Sequence, residues 1–488
     1  MSGARAMPRS VVIAGGGTLA VLAALAMRRA LPATEVTVLV TPPEPAAFAD
    51  RAGTALPFST GFLDQLGIEE AEIIARCGGS HRLMTRYIGW GGHDQLGTAA
   101  YGAAIDPAMT TGFARDWGGG PRSAGTHAPP GSLGEVLAEA GHFAPIGGDP
   151  AHPLAEVEHA LRWNAAALRD LAIRQADALG VRHVQGRPSM LQLGETGDAV
   201  SLHVEGGSEL AGDLFLDCTG PAATLLAQMP GAERIDWSDF LPVRQILYAK
   251  AQAPMLALED RLTLTDAGWR YELAGRDGLQ RILGLAPGTQ ERAMLEALGA
   301  EPAGGVSIIP GRTGRSWIGN VIALGDAAAL FEPIGGYNAD FAHRQLALLI
   351  ELLPGRTITP QERDEFNRRS GLMADGARDM VAAHYAAAGA QLVFGQTPLS
   401  PELALALDQF KRRGRSPFFE EAPLLQQERA ALFAALGIER GDGPLSHRHD
   451  PDAGRAFAAK AEMALRTLPP YREWMAGVLG TSRDGRPG

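Results

Sequence analysis

Cysteine is nearly missing from this chain: Cys77 and Cys218 are the only two in 488 residues. That scarcity excludes a disulfide framework and a cysteine-rich metal centre, and it fits a cytoplasmic protein whose two thiols serve as small buried hydrophobes. Lysine is confined to Lys250, Lys411 and Lys460. Positive charge is in deficit as well, with 44 Lys and Arg against 55 Asp and Glu and a net charge of −11, which argues against nucleic acid as a partner. Long hydrophobic runs are limited to residues 11–27, which follow Arg5 and Arg9 and superficially resemble a signal peptide or membrane span. Gly15, Gly16 and Gly17 interrupt that run, as a strand, turn and helix require and a membrane segment does not. Repeats and low-complexity tracts are absent.

What is present suits a soluble globular enzyme. Hydrophobic residues make up 45% and charged residues 20%, enough for two intimately packed domains. Val11-Val-Ile-Ala-Gly-Gly-Gly-Thr-Leu-Ala20 reads as a buried strand that breaks into a glycine turn and then a helix. Gly15 permits the tight turn, Gly17 lets backbone approach a phosphate, and Ala20 fills the third small position, with Thr18 opening the helix whose amides face the anion. Such turns also occur without ligands. Glu35-Val-Thr-Val-Leu-Val40 completes a βαβ unit. The acid that usually binds ribose at the end of that strand is replaced by Val40 or Thr41.

Residues 161–180 predict an alanine-rich helix, followed by a short strand at 181–184. Leu214-Phe-Leu-Asp-Cys-Thr-Gly220 and Val321-Ile-Ala-Leu-Gly-Asp-Ala-Ala328 each predict a strand opening into a small-residue turn, and two such turns on one sheet suit a long cofactor. Loops rich in Gly and Pro over about 91–153 predict an insertion above the substrate region. Residues 1–360 are thus expected to form the dinucleotide-type domain with an interleaved substrate-binding region, and 361–488 a helical cap with a frayed end from Gly480.

These segments, together with Asp236-Trp-Ser-Asp-Phe-Leu-Pro242 and Trp317-Ile-Gly-Asn-Val321 leading to Phe331-Glu-Pro333, resemble the flavin-dependent tryptophan halogenases, a branch of the FAD-containing monooxygenase fold. The resemblance covers most of residues 10–350. It implies an α/β fold with a Rossmann-like FAD-binding domain of the aromatic hydroxylase/halogenase type, an inserted β-rich substrate domain and a C-terminal helical cap. It also implies FAD under Gly15, Gly17 and Ala20, with Gly325 and Asp326 facing the ribitol and its phosphate. Asp326 also suits a helix N-cap, a role compatible with the first because an N-cap turn can bind phosphate.

The chain departs from the family where halogenation is directed. Ile73 to Trp90 resembles the lysine-bearing segment, but Arg82 stands at the lysine position, and an arginine stays protonated. The family's second glutamate becomes Gly335 in Pro333-Ile-Gly-Gly-Tyr-Asn338, and the second signature tryptophan becomes Tyr271 in Trp269-Arg-Tyr-Glu-Leu-Ala274. The Gly-Gly turn also resembles the flavin-facing loop of aromatic hydroxylases, where backbone amides of Gly335 and Gly336 stabilise charge. The leading expectation is therefore hydroxylation of an electron-rich aromatic, an indole or tryptophan, free or peptidyl, through a flavin C4a-hydroperoxide. Two alternatives stand beside it: a halogenase with a rearranged site, and a noncatalytic FAD-binding accessory protein. With no nicotinamide domain visible, electrons are expected from a flavin reductase.

Candidate working residues each carry two readings. Arg82 holds an anionic substrate group or makes an ordinary surface salt bridge. His81 acts as acid or base or simply packs. Glu332 polarises the flavin face or caps structure. Trp90 and Trp269, with Tyr337 and Asn338, flank an aromatic substrate or belong to the core.

Overall fold

The computed structural model describes residues 6–102, 122–123, 132–146, 152–155, 157–441 and 451–484. At its centre is a six-stranded sheet. Its order runs Trp317–Ile318, Val321–Ala323, Leu214–Asp217, β1 (Ser10–Ala14), β2 (Glu35–Val40) and Arg182–Gln185. All neighbours are parallel except the first pair. The apolar β1 sequence is covered on both faces, as a central parallel strand must be. The chain leaves β1 for β2 on one side and returns to Leu214–Asp217 on the other, so the glycine turn lies at the topological switch point where open α/β sheets bind ligands.

Helix α1 (Thr18–Ala30) follows that turn with every residue from Thr18 to Met27 buried. Its alanines allow close approach to the sheet and to the helices Ala165–Ala178 and Tyr337–Glu351. Short helices α2 (Phe48–Arg51), α3 (Phe58–Gln65) and α4 (Glu70–Arg76) come next. The helix expected over 161–180 is shorter at its start. Ala160–Arg162 forms a strand antiparallel to β3 (Ser80–Arg82), and the helix opens only at Ala165, where the Asn164 side chain accepts the Ala167 N–H.

A second sheet has eight strands. It places β4 (Met84–Ile88) beside Glu259–Thr265 in parallel register, with Gly268–Gly275 and Gly278–Leu285 continuing on one side and Gln95–Ala100 on the other. Much of the expected 91–153 insertion, residues 103–121, 124–131 and 147–151, lies outside the described residues. From Pro360 onward the described elements are helices. The last, Tyr471–Asp484, continues past Gly480, and 485–488 lie outside the described residues. A separate apolar cluster, including Leu83, Leu137, Phe143, Leu468 and Tyr471, fixes this C-terminal layer to β3 and α4. Among the described residues no helix is long and apolar enough to cross a membrane.

Candidate functional site

The glycine turn is packed so tightly that side chains are sterically excluded. A Cβ on Gly15 would lie 2.6 Å from the Cys218 carbonyl oxygen, one on Gly16 1.9 Å from that of Thr41, and one on Gly17 1.9 Å from the Asp50 carboxyl group. Asp50, from α2, accepts the Leu19 N–H at 2.8 Å in the first turn of α1. Burial pushes its carboxyl group up to about 6, against the pull of the Leu19 amide, Arg169 and the Thr18 amide. A carboxylate therefore stands at the helix N-terminus, where unpaired amides and the helix dipole favour an anion.

The second small-residue turn meets the first through α2. Gly325 adopts φ +58°, and a Cβ there would come within 2.5 Å of Leu19. Asp326 accepts the Ala49 N–H at 2.8 Å, and burial, reinforced by the nearby Asp50 charge, raises its carboxyl group well above the usual range. Gly15, Gly17, Thr18, Ala20, Gly325 and Asp326 thus converge at one end of the sheet.

Beside them a cleft is lined by Phe48, Arg51, Gly53, Tyr248, Tyr271, Pro333, Gly336 and Asn338. Gly335 and Gly336 are left-handed, with φ +68° and +83°, and a Cβ on Gly336 would sit 3.0 Å from the Ala55 Cα. Glycine is required here both by conformation and by space. Asn338 donates to the Phe331 carbonyl at 2.9 Å, so its amide closes the turn, and Tyr337 is buried.

Arg82 is wholly buried and firmly held. It donates from Nη1 to Asp260 at 2.9 Å and to the Tyr271 hydroxyl at 2.8 Å, and from Nη2 to the Ala55 carbonyl at 2.9 Å. Arg162 pairs with the other Asp260 oxygen at 2.8 Å. The Arg82 guanidinium also lies 5.2 Å from the Tyr101 ring centroid, while its Nε is buried without a partner among the described residues. Two cations around one carboxylate leave a buried positive excess. The surface salt bridge that was one of its two readings is corrected: Arg82 forms an interior ion pair with Asp260, and its hydrogen-bond partner Tyr271 lines the cleft.

Glu332 is equally buried. Its Oε2 accepts from Trp269 Nε1 at 3.1 Å and from the Tyr385 hydroxyl, and its Oε1 accepts the Val243 N–H at 3.2 Å. Burial raises it to about 7 despite those donors. Trp269 is therefore tied to Glu332 and Tyr385, with its indole N–H spent. Trp90 lies in the core, donating to the Leu262 carbonyl at 2.9 Å beside His384. His81 is not brought to the cleft set. It alternates with Arg82 on β3 and so faces the other way, bonding Glu70 and Tyr471 at 2.9 Å each. Burial pushes its imidazole down to about 4, against the Glu70 hydrogen bond. Burial opposes ionisation of Glu70 too, but bonds from His159 and His81 hold it well below the carboxylate range. An ionised carboxylate accepting from a neutral His81 satisfies both directions.

Asp50, Arg162, Asp260 and Tyr385 escaped the sequence reading. The available signal was the coincidence of Arg82 with Tyr271, two altered positions that prove to be hydrogen-bonded to one another.

Over residues 10–447 the chain matches the tryptophan halogenase family. It is similar to tryptophan 7-halogenase RebH of Lentzea aerocolonigenes, 26% identical over 419 residues, covering 77% of this chain and 76% of that protein. Tryptophan 6-halogenase ThaL of Streptomyces albogriseolus is 26% identical over 418 residues with the same two coverages. Among solved structures, BrvH, a flavin-dependent halogenase from Brevundimonas sp. BAL3, superposes with a TM-score of 0.85 at 22% identity, covering 96% of this chain and 99% of that one. That last likeness establishes the fold.

Proposed function

Because the chain belongs to the tryptophan halogenase family, we propose that it is a flavin-dependent halogenase of an indole-bearing substrate, with FAD as cofactor, a flavin reductase as electron source and Arg82 as directing group. The expectation of hydroxylation gives way to this reading because the relatives named above carry halogenase names. The observation that carries it is the buried Arg82–Tyr271 contact at the edge of the cleft.

The donor set fits FAD. The α1 N-terminus already holds an anion in the form of the Asp50 carboxylate, and a pyrophosphate would take that place on the Leu19 amide. Gly325 and Asp326 would face the ribitol, and the turn from Pro333 to Gly336 would bound the ring. When bound and reduced, FAD would activate molecular oxygen, and that oxygen would be the oxidant that turns halide into hypohalous acid.

The chain's own residues do the rest. Arg82 keeps its proton, so it offers N–H donors instead of a nucleophilic nitrogen. Its Nε–H, without a partner among the described residues, would hold the electrophile by hydrogen bonding, while Asp260, Tyr271 and Ala55 fix the guanidinium plane. The Asp260–Arg162 pair keeps that plane from turning. Glu332, poised near neutrality and bonded to Trp269 and Tyr385, accepts the proton that the substituted ring carbon loses. The aromatic and apolar lining excludes water from the reactive halogen species.

The test supplies the purified protein with FAD, a flavin reductase, oxygen and tryptophan or a tryptophan peptide, with and without bromide. A bromine-bearing product that requires bromide supports the proposal. A product heavier by oxygen alone would restore hydroxylation, and flavin turnover with no product would point to the accessory-protein alternative.

A further inference from the structure

Behind β3, away from the cleft, Glu70 is gripped by two histidines. His81 Nε2 lies 2.9 Å from Glu70 Oε1, and His159 Nε2 lies 2.9 Å from Glu70 Oε2. The three donor atoms lie within 4.8 Å of one another. They come from three separate elements: α4, β3 and the segment before strand Ala160–Arg162. Nothing in the flavin-dependent reaction uses them.

We propose that Glu70, His81 and His159 form a divalent transition-metal site, of which zinc is the fitting occupant. Two imidazoles and one carboxylate are a donor set suited to zinc, with a fourth position open to water. Access exists, because the Glu70 and His159 side chains are 23% and 19% exposed while His81 is fully buried. The outer shell is in place too. The Tyr471 hydroxyl lies 2.9 Å from His81 Nδ1, so it fixes the ring and accepts the Nδ1 proton once Nε2 turns to a metal. Phe143 and Trp474 pack against the His81 ring with centroids 5.0 and 5.3 Å away, and Phe143 also packs against His159 at 5.4 Å. Those rings restrict the imidazoles to orientations that present both Nε2 atoms to the same carboxylate.

A tetrahedral zinc with bonds near 2.1 Å sets its donors about 3.4 Å apart, so the present arrangement closes on an ion with side-chain shifts on the order of 1 Å. Each metal bond replaces an imidazole-to-carboxylate hydrogen bond, with the imidazole proton moving to Nδ1. The metal would staple α4, β3 and, through Tyr471, the C-terminal helix Tyr471–Asp484, on the face of β3 opposite Arg82.

The experiment strips the full-length protein with a chelator, adds zinc in excess, removes unbound ion by gel filtration, and measures retained metal and Tm. The expected result is one zinc per chain and a raised Tm. In His159→Gln and Glu70→Gln retention falls at least tenfold and the zinc-dependent Tm rise disappears. With cobalt, the parent alone develops the visible absorption of a low-symmetry four-coordinate ion. A parent that retains no more zinc than the two variants would overturn the proposal, and so would a variant that retains a full equivalent. Using two variants keeps the comparison meaningful if one of them folds poorly.

Discussion

The glycine turn of α1 and the Arg82 cluster handle buried charge in opposite ways. At the turn, one carboxylate, Asp50, rests on backbone amides that a phosphate would claim, with its partner Asp326 close by. In the cluster, Arg82 and Arg162 enclose Asp260, and each charge contact is made between two side chains. The first region is arranged for exchange, the second for permanence. The difference is that the anion site depends on helix geometry, which any suitable anion satisfies, while the cationic cluster depends on the identity of each residue.

The largest effect that distinguishes them is on stability. Asp260→Ala leaves two guanidinium groups buried without a counter-charge, and unfolding in urea should show a loss of about 3–5 kcal/mol. A loss below about 1 kcal/mol would mean that water reaches the cluster and that its permanence is overstated. Next comes Glu332, which burial raises to about 7. A carboxyl group whose folded value lies above its unfolded value of 4.5 stabilises the fold at low pH, and that contribution disappears as pH climbs from about 4.5 to 7. Glu332→Gln should therefore match the parent near pH 4.5 and exceed it by up to about 3 kcal/mol at pH 8. A constant difference across that range in Tm-versus-pH scans would refute the raised value. The same variant should lose most product formation.

Arg82→Met should lower halogenated product on the order of 100-fold, a cost of about 2.7 kcal/mol, with flavin reoxidation unchanged. Equal loss of both rates would place Arg82 in the support of the cofactor instead. At the exchangeable region, Asp50→Asn should tighten FAD binding on the order of tenfold at pH 8, worth about 1.4 kcal/mol. The parent's affinity should rise as pH falls through about 6, since protonation frees the Leu19 amide and removes repulsion; fluorescence titration of FAD reads both. The smallest change is Tyr271→Phe, which removes one hydrogen bond to Arg82 and should cost about 1 kcal/mol of stability.

The exchangeable region was legible in the sequence and the permanent one was not. Val11 to Ala20 carries strand, turn and helix signals within ten residues, Leu214 to Gly220 and Val321 to Ala328 each carry a strand and a small-residue turn, and the six-stranded sheet brings those segments together as expected. Arg82 and Asp260 are separated by 178 positions, and neither has a local pattern that reveals the other. Polar side chains near one another in sequence misled in a different way. His81 adjoins Arg82, yet the period of two in a strand sends it to the opposite face, against Glu70 and Tyr471. Likewise Leu161 fits the helical period of 161–180, but its strand pairing with His81 and the Asn164 cap delay the helix to Ala165. Trp90 looked suited to a substrate wall, and its N–H proves to be bound to Leu262 in the core.

The central claim is that a guanidinium group directs the halogen without capturing it covalently. Its most direct test is an order-of-addition chase with bromide: FAD turnover is run to completion without substrate, small molecules are removed, and tryptophan is then added. The account predicts brominated product when tryptophan is present during turnover and none when it is added afterwards. Brominated product from tryptophan added after the filtration step would contradict it, since only a halogen bound covalently to the protein survives that interval.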